Sequence, residues 1–546
     1  MVKITIASQH PVLSFASEEW SRLLNISGAS MTEQLDEVWI GTWEQLKVWQ
    51  PALMKMKDGS TWRDLGYSDE FVVMEMHNQI VLSGKSERAA LYAVYQYAQE
   101  MWGLHAIYPG AGATITSSKS SSSGNPMQAA KPIRWYAPRL ERRGFVFETI
   151  NDPLYLKELL DWFAQNKINE IFFTFKLWDQ VGDEIASEII KRGITVTLGG
   201  HSMKFFLNKE DHLRVTEAEH PYTAKAQLNF QDSDWQAPLM RDIAQYCRHV
   251  PNLTRLSLWP EDIADRETEQ FLMHYLQFTE QLNKYLQECG LDIAVEHIAY
   301  NAGLAWNMLE RNGAKPSAEV DTLFAFWGRD YRFGYEDRAH ESDRRAKEAI
   351  EDWTHELKRT ERKLTVFEYY SDHYMLSNLF PFLPQRILKD VAYYEQLQIL
   401  GMVNLVVPYR GPDPYPWKWV HGFNSYVFCR ALWNANLEEI LNDYYAFYPD
   451  SESAAVRALF EVMEVKLSGL TYWNTPLFPA RAVDPEKANA SSKQKESILA
   501  VLEDIKISMQ DVLQQQTELS PDSMPHLYAQ HIIKYSENLY HRWLEQ

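Results

Sequence analysis

The chain has 546 residues, 45% of them apolar and 23% charged, with 23 glycines and 24 prolines, which excludes a disordered chain, a collagen-like repeat and a disulfide-stapled miniprotein. That length allows about three or four domains, or one large barrel with attachments. Lys and Arg number 54 against 74 Asp and Glu, a formal charge of −20 that disfavours nucleic acid and anionic membrane surfaces as partners.

Residues 1–116 read as an N-terminal α/β domain. Strands are expected at 2–7, 37–41, 71–76 and 79–82, the last two joined as a hairpin by His77-Asn78. A helix is expected over 88–101, where Leu91, Val94, Tyr95 and Ala98 share one face and Gly103 supplies a stop. Residues 117–131, SSKSSSSGNPMQAAK, are too polar to pack and read as a linker or mobile loop.

From 132 to 420, β-rich runs alternate with helical patterns. Eight strands are expected, at 144–148, 170–175, 195–199, 253–258, 292–298, 322–327, 364–369 and 403–408. Amphipathic helices are expected at 154–165, 242–247, 267–289, 341–359 and 384–400. Strand, crossover and parallel strand repeated in this way is the requirement of a closed (β/α)8 TIM barrel. An open doubly wound sheet is the runner-up, weakened by the lack of a Gly-rich phosphate fingerprint. Residues 421–546 turn almost wholly helical, through 424–433, 437–447, 453–467, 492–515 and 524–545. The fold class is therefore α/β: an N-terminal α/β domain, a central barrel and a C-terminal helical domain.

In a barrel, residues past the C-terminal strand ends converge on one mouth. The strands nominate Glu148 from the first, Lys176 and Trp178 from the second, His201 from the third, Glu261 and Asp262 from the fourth. His297, Tyr300 and Asn301 follow from the fifth, Trp327 and Arg329 from the sixth, Glu368, Tyr369 and Tyr370 from the seventh, and Tyr409 and Arg410 from the eighth. Breaking a glycosidic bond needs a carboxylic acid to protonate the leaving oxygen and a second, charged group to support the oxocarbenium-like transition state. Glu261 or Asp262, in LSLWPED, is the expected acid, and Glu368, in LTVFEYY, the expected partner across the mouth, if Leu364, Val366, Glu368 and Tyr370 face inward. Structural alternatives exist for each. Glu368 would otherwise pair with Arg329 or Arg410 at the rim, and Pro-Glu-Asp would simply start a helix. Trp178, Trp259, Trp327, Trp417 and Trp419 are candidate sugar platforms, each also an ordinary core residue. His201 and His297 sit singly, without the paired spacing of metal ligands. Neither a metal nor a cofactor is expected.

The segments ASEEWSRLLNISG, VWIG, DEFVVMEMHNQIVLSG and RAALYAVYQYAQEMWGLHAIYPG resemble the non-catalytic α/β domain that precedes the barrel in family-20 hexosaminidases and α-glucuronidases. The stretch carrying LGGHS, LSLWPED, HIAYNAG, LTVFEYY, VVPYRG and FNSYVFCRALWNANLEEILNDYYAFYP resembles the barrel and helical tail of family-163 glycoside hydrolases. The resemblance implies a sugar hydrolase, and family 163 is associated with endo-β-N-acetylglucosaminidase activity. It places Asp262 at the acid that closes the fourth-strand motif. Family 20 has Asp then Glu there, whereas this chain has Glu261 then Asp262, so acetamido-assisted chemistry does not transfer directly.

The expected function is a glycoside hydrolase acting on oligosaccharides, foremost β-linked N-acetylhexosamine-containing glycans. An alternative is uronic-acid-containing oligosaccharides, since Lys176, Arg329 and Arg410 suit carboxylates. An alternative of another class is a barrel that binds carbohydrate without cleaving it. Three dispersed cysteines, Cys247, Cys289 and Cys429, and an N-terminus without the apolar core of a signal peptide point to a cytoplasmic location. No run reaches the ~18 apolar residues of a membrane span. The helical C-terminal domain is a possible homo-oligomer interface.

Overall fold

The computed structural model describes residues 3–29, 35–54, 64–76, 78–115, 132–207, 230–260, 270–301, 306–311, 313–337, 340–468, 477–478, 493–516 and 519–545. The expected linker over 117–131 and the acids Glu261 and Asp262 lie outside the described residues.

The N-terminal unit is one five-stranded sheet in the order Lys3–Ile6, Glu37–Thr42, Gln79–Gly84, Phe71–Met76, Ile133–Tyr136. The first three run parallel, and Met76 lies opposite Gln79 in the antiparallel hairpin. Helices Pro11–Ser27 and Glu87–Trp102 bury their apolar stripes in this unit. Ser86 caps the second by accepting the Ala89 N–H, and Gly103, at φ 66°, ends it in the left-handed conformation that suits glycine. One boundary is corrected. Residues 133–136 fall within the expected barrel range, yet Ile133–Tyr136 pairs antiparallel with Phe71–Met76, with Phe71 opposite Tyr136, so it completes the N-terminal sheet.

Eight parallel strands close the barrel in sequence order: Arg142–Phe147, Glu170–Thr174, Thr195–Gly200, Leu253–Leu258, Ala294–Tyr300, Asp321–Ala325, Leu364–Asp372 and Gly401–Val407. All eight expected strands are barrel strands, with ends displaced by a few residues. Their Val, Ile, Leu and Phe runs are buried on both faces, as a sheet wrapped in helices requires. The surrounding helices include Pro153–Gln165, Phe175–Arg192, Gln236–Cys247, Phe271–Glu288, Glu341–Leu357 and Pro384–Gln396. Helix Trp417–Ala431 starts earlier than the expected 424 and packs on Pro384–Gln396, so it is the barrel's last outer helix and the expected boundary at 421 falls inside it. Beyond it come Leu437–Tyr445, Asp450–Ser468, Lys495–Gln515 and Met524–Glu545.

A buried polar cluster ties the N-terminal unit to the barrel. Asp69, fully buried, accepts from Arg88 at 2.9 Å, from Asn169 at 2.9 Å and from Arg143 of the first barrel strand. None of the described helices is long and apolar enough to cross a membrane.

Candidate active site

The barrel's inner face is set by a layer of charge near the N-terminal strand ends. Arg142 of the first strand forks onto Glu170 of the second at 2.6 and 2.7 Å and reaches Glu296 of the fifth at 2.6 Å. Thr197 of the third strand donates to Glu170 at 2.8 Å, and Thr365 of the seventh accepts from Arg142 at 3.1 Å. Burial alone raises Glu170's carboxyl, and the attraction of Arg142 outweighs it, leaving the pKa below the ordinary value. Side chains two residues on face the same way. Stepping up the strands from this layer leads to Glu148, His201, Trp259, Tyr300 and Tyr369 at the C-terminal end.

Those side chains line a cavity of about 930 Å³ at the C-terminal mouth, with Trp327, Phe367, Asp372, His373, Tyr374, Asn378, Tyr409 and Arg410. Its size is near the upper end for small-molecule sites, and its lining is aromatic with a few polar groups. Trp259 stands edge-on to Phe172 and Phe367, at centroid distances of 5.3 and 5.5 Å, with its indole N–H held by Ser257 at 2.9 Å. Gly200, at φ 69°, turns the third strand beside Glu148; a Cβ there would lie 3.2 Å from Thr174 Cγ2 and 3.7 Å from Glu148 Oε1. His201 Nδ1 lies 2.7 Å from the Pro260 carbonyl, which also accepts from the Tyr300 hydroxyl at 3.1 Å. The chain therefore reaches the cavity wall at the residue before Glu261.

Two described carboxyl groups line this cavity, Glu148 and Asp372. Asp372 ends the seventh strand and caps the short helix His373–Leu376, accepting from the N–H groups of Tyr374 at 2.8 Å and Met375 at 3.1 Å. Those bonds favour its anion, but burial dominates and the charge of Glu148 adds to it, so its pKa rises to about 7. At the cavity wall, His373 Nδ1 lies 2.5 Å from Nε2 of His421 behind it, and burial holds His373 well below the usual imidazole range and His421 at about 3. Among the described residues, no group of three or more His, Cys, Asp or Glu side chains is arranged to hold a metal ion.

Of the residues nominated from sequence, Glu148, His201, Tyr300, Trp327, Tyr369, Tyr409 and Arg410 line the cavity. Others do not, and each has a physical reason. Glu368, Arg329 and Tyr370 sit on the outer side of the barrel wall. Arg329 pairs with Glu368 at 2.9 Å and with Asp390 of the Pro384–Gln396 helix at 2.7 Å, and Tyr370 donates to Asp390 at 2.9 Å. The expected inward phase of strand seven is thus off by one residue, which exchanges its two faces. His297 is likewise outward and fully buried, against Tyr275 and Trp353, and burial lowers its pKa to about 4. Asn301 clamps the Trp327 backbone, accepting its N–H at 2.8 Å and donating to its carbonyl at 3.0 Å. Strand two ends at Thr174, whose hydroxyl caps helix Phe175–Arg192, so Lys176 is carried to the surface and Trp178 packs on Phe173 outside the barrel. Trp419 is buried and donates to Tyr448 at 2.8 Å, and Trp417 packs on Tyr155. Glu261 and Asp262 lie outside the described residues.

Asp372, His373, Tyr374 and Asn378 escape the sequence pattern because the expected seventh strand stops at 369, whereas the strand runs on to Asp372. One signal is available. Arg142, Glu170, Arg255 and Glu296 are charged residues near the starts of β-rich runs, and counting in twos from Arg142 and Glu296 leads to Glu148 and Tyr300. Asp372 is not reachable by counting, because the pairing of strand seven with strand eight shifts between Glu368 and Ser371.

No family model matches the chain, nor does any curated protein. Solved structures do resemble it. A GH138 enzyme described as targeting pectin rhamnogalacturonan II superposes with a TM-score of 0.59 at 12% identity, over 100% of this chain and 70% of its own. CpGH84B gives 0.51 at 10% identity, over 100% and 88%, and CpGH84D gives 0.50 at 11%, over 98% and 84%. The fold is therefore one that glycoside hydrolases use, extended over the whole chain.

Proposed function

We propose that the protein is a glycoside hydrolase acting on oligosaccharides, with Asp372 as its general acid. The observation that carries this reading is the pair of carboxyl groups in one aromatic cavity, one of them, Asp372, buried and titrating at about 7. A carboxyl group with that pKa still holds a proton at neutral pH, as donation to a leaving oxygen requires. Glu148, half-buried at the same cavity, is the charged partner that supports the oxocarbenium-like transition state. Trp259, Tyr300 and Trp327 offer faces to the apolar side of sugar rings. His201 and Tyr409 supply hydrogen bonds to hydroxyls. Within this reading the motif resemblances favour β-linked N-acetylhexosamine-containing glycans, and the free thiols Cys247, Cys289 and Cys429 fit a cytoplasmic enzyme.

Two further readings each have an observation behind them. The Pro260 carbonyl at the cavity wall favours Glu261 or Asp262 as the second carboxylate in place of Glu148. Arg410, exposed at the cavity rim, favours a substrate bearing a carboxylate, such as a uronic acid.

The test is a panel of aryl glycosides and N-glycans presented to the wild type and to Asp372→Asn, Glu148→Gln, Glu261→Gln and Asp262→Asn. Turnover lost in Asp372→Asn and Glu148→Gln supports the leading assignment. Loss in Asp262→Asn or Glu261→Gln with Glu148→Gln active moves the charged role to the fourth strand. Arg410→Ala raising KM about tenfold on uronides alone, as loss of a charge-assisted contact would, selects the acidic substrate. Saturable glycan binding without turnover of any substrate by the wild type contradicts the hydrolase.

A further inference from the structure

We infer that Tyr331 is a positioning residue for the cavity acid: from outside the barrel it holds the irregularity in strand seven that swings Asp372 inward. This rests on the assignment of Asp372 as general acid.

Strand seven keeps a regular register with strand eight as far as Glu368↔Asn404. It resumes at Ser371↔Val406, so three steps on one strand span two on the other. One extra residue is inserted, as in a β-bulge. Before it, inward positions are Thr365, Phe367 and Tyr369; without it, Ser371 would face the cavity and Asp372 would face the outer helices. With it, Ser371 lies against Asn404 at 2.9 Å and Ser425 at 3.1 Å, and Asp372 lines the cavity.

A bulge leaves backbone groups without ladder partners, and buried ones must be satisfied elsewhere. On the other side, strand six pairs with strand seven only as far as Ala325↔Phe367. Beyond that point the Tyr369 N–H donates to the Tyr331 hydroxyl at 3.1 Å, and the same hydroxyl donates to Glu368 Oε2 at 2.6 Å. Tyr331 thus takes the place of a missing strand, gripping two consecutive residues of the bulge at once. It is 1% exposed and packs against Tyr370 and the Arg329 guanidinium. The neighbouring residue is held from the same side, the Tyr370 hydroxyl by Asp390 and its carbonyl by Asn424 at 2.9 Å. The Tyr331 hydroxyl and the Asn424 amide accordingly fix the backbone that aims Asp372.

Tyr394 provides an internal control. Its hydroxyl also donates to Glu368, and it too is buried, but its hydroxyl holds no backbone group of strand seven. Tyr331→Phe and Tyr394→Phe therefore remove the same kind of bond to the same carboxylate, and only the first also removes the hydroxyl that accepts from the Tyr369 N–H.

The experiment compares both variants with wild type on the best aryl glycoside, recording kcat, KM, the basic limb of the pH profile and Tm. The expected result is kcat lowered about 10- to 100-fold in Tyr331→Phe with KM little changed, the cost of a misplaced reacting group. Its basic limb moves away from the wild-type position, whereas Tyr394→Phe keeps both kcat, within about threefold, and the limb. Equal kcat losses in the two variants, or a wild-type kcat and pH profile in Tyr331→Phe, overturn the inference. Should Tyr331→Phe not fold, Tyr370→Phe cuts the adjacent hold by Asp390. The inference then expects a kcat loss of the same kind, and an unchanged kcat overturns it. An active Asp372→Asn defeats the acid assignment itself. An inactive Asp372→Asn beside indistinguishable Tyr331→Phe and Tyr394→Phe defeats only the positioning role.

Discussion

The two ends of the barrel interior hold the same kind of group in opposite states. At the N-terminal end, Glu170 and Glu296 are buried against the Arg142 guanidinium, and Glu170 stays ionised below the ordinary range. At the C-terminal end, Asp372 is buried with backbone N–H donors and a second carboxylate, and its pKa rises to about 7. Burial acts on both. The difference is the compensating cation, which makes one layer a structural rivet and leaves the other a group that exchanges a proton near neutrality. In such a barrel, the charged layer to probe for chemistry is the one that lacks a guanidinium fork.

Activity should separate the two ends most strongly. Asp372→Asn is expected to lower kcat by about 10²–10⁴-fold, the usual contribution of a positioned proton donor, with the fold retained in circular dichroism. The opposite outcome is expected at the other end. Arg142→Met leaves buried Glu170 without its forked partner and Glu296 with only Arg255 at 3.5 Å, and chemical denaturation should show a loss of about 3–5 kcal/mol. The residual folded fraction should keep its kcat.

A smaller effect is the pH dependence of stability. Asp372's folded pKa lies above that of the unfolded chain, so the native state holds its proton more tightly, and this contribution is full below about pH 4 and lost as pH rises through about 7. Asp372→Asn should therefore gain Tm relative to wild type at pH 8 and not at pH 4, an advantage of at most about 4 kcal/mol for a shift of this size. The weakest expected effect has the reverse sign. Burial lowers His531 to about 4, so its contribution is present above about pH 6.5 and lost as pH falls through 4. His531 packs on Tyr415 at a centroid distance of 4.1 Å, and His531→Phe should reduce the stability lost between pH 7 and 4 by at most about 3 kcal/mol.

Much of the fold is legible in the sequence because the barrel strands are continuous apolar runs with crossover-length spacings, and neither property depends on remote residues. The phase of strand seven is not legible in the same way. In FEYYSD one alternation is Phe367, Tyr369 and Ser371 and the other Glu368, Tyr370 and Asp372, so by pattern alone Glu368 and Asp372 share a face. What separates them is an inserted residue held by Tyr331, Asp390 and Asn424, which are distant in the chain. The second strand misleads for a local reason. Thr174 is both a strand residue and a helix cap, so the turn comes earlier than the apolar run suggests, and Lys176 and Trp178 leave the mouth. Glu148, Tyr300 and Trp327 fall at the cavity because their strands continue the inner phase without interruption, and His201 is brought there by the turn at Gly200.

The protonation of Asp372 can be read without any substrate, as the protonated-carboxyl infrared band present in wild type and absent from Asp372→Asn. Its titration should show a midpoint near pH 7 that moves lower in Glu148→Gln, where the neighbouring charge is removed. A midpoint near 4, indifferent to Glu148, would refute the assignment of Asp372 as the acid.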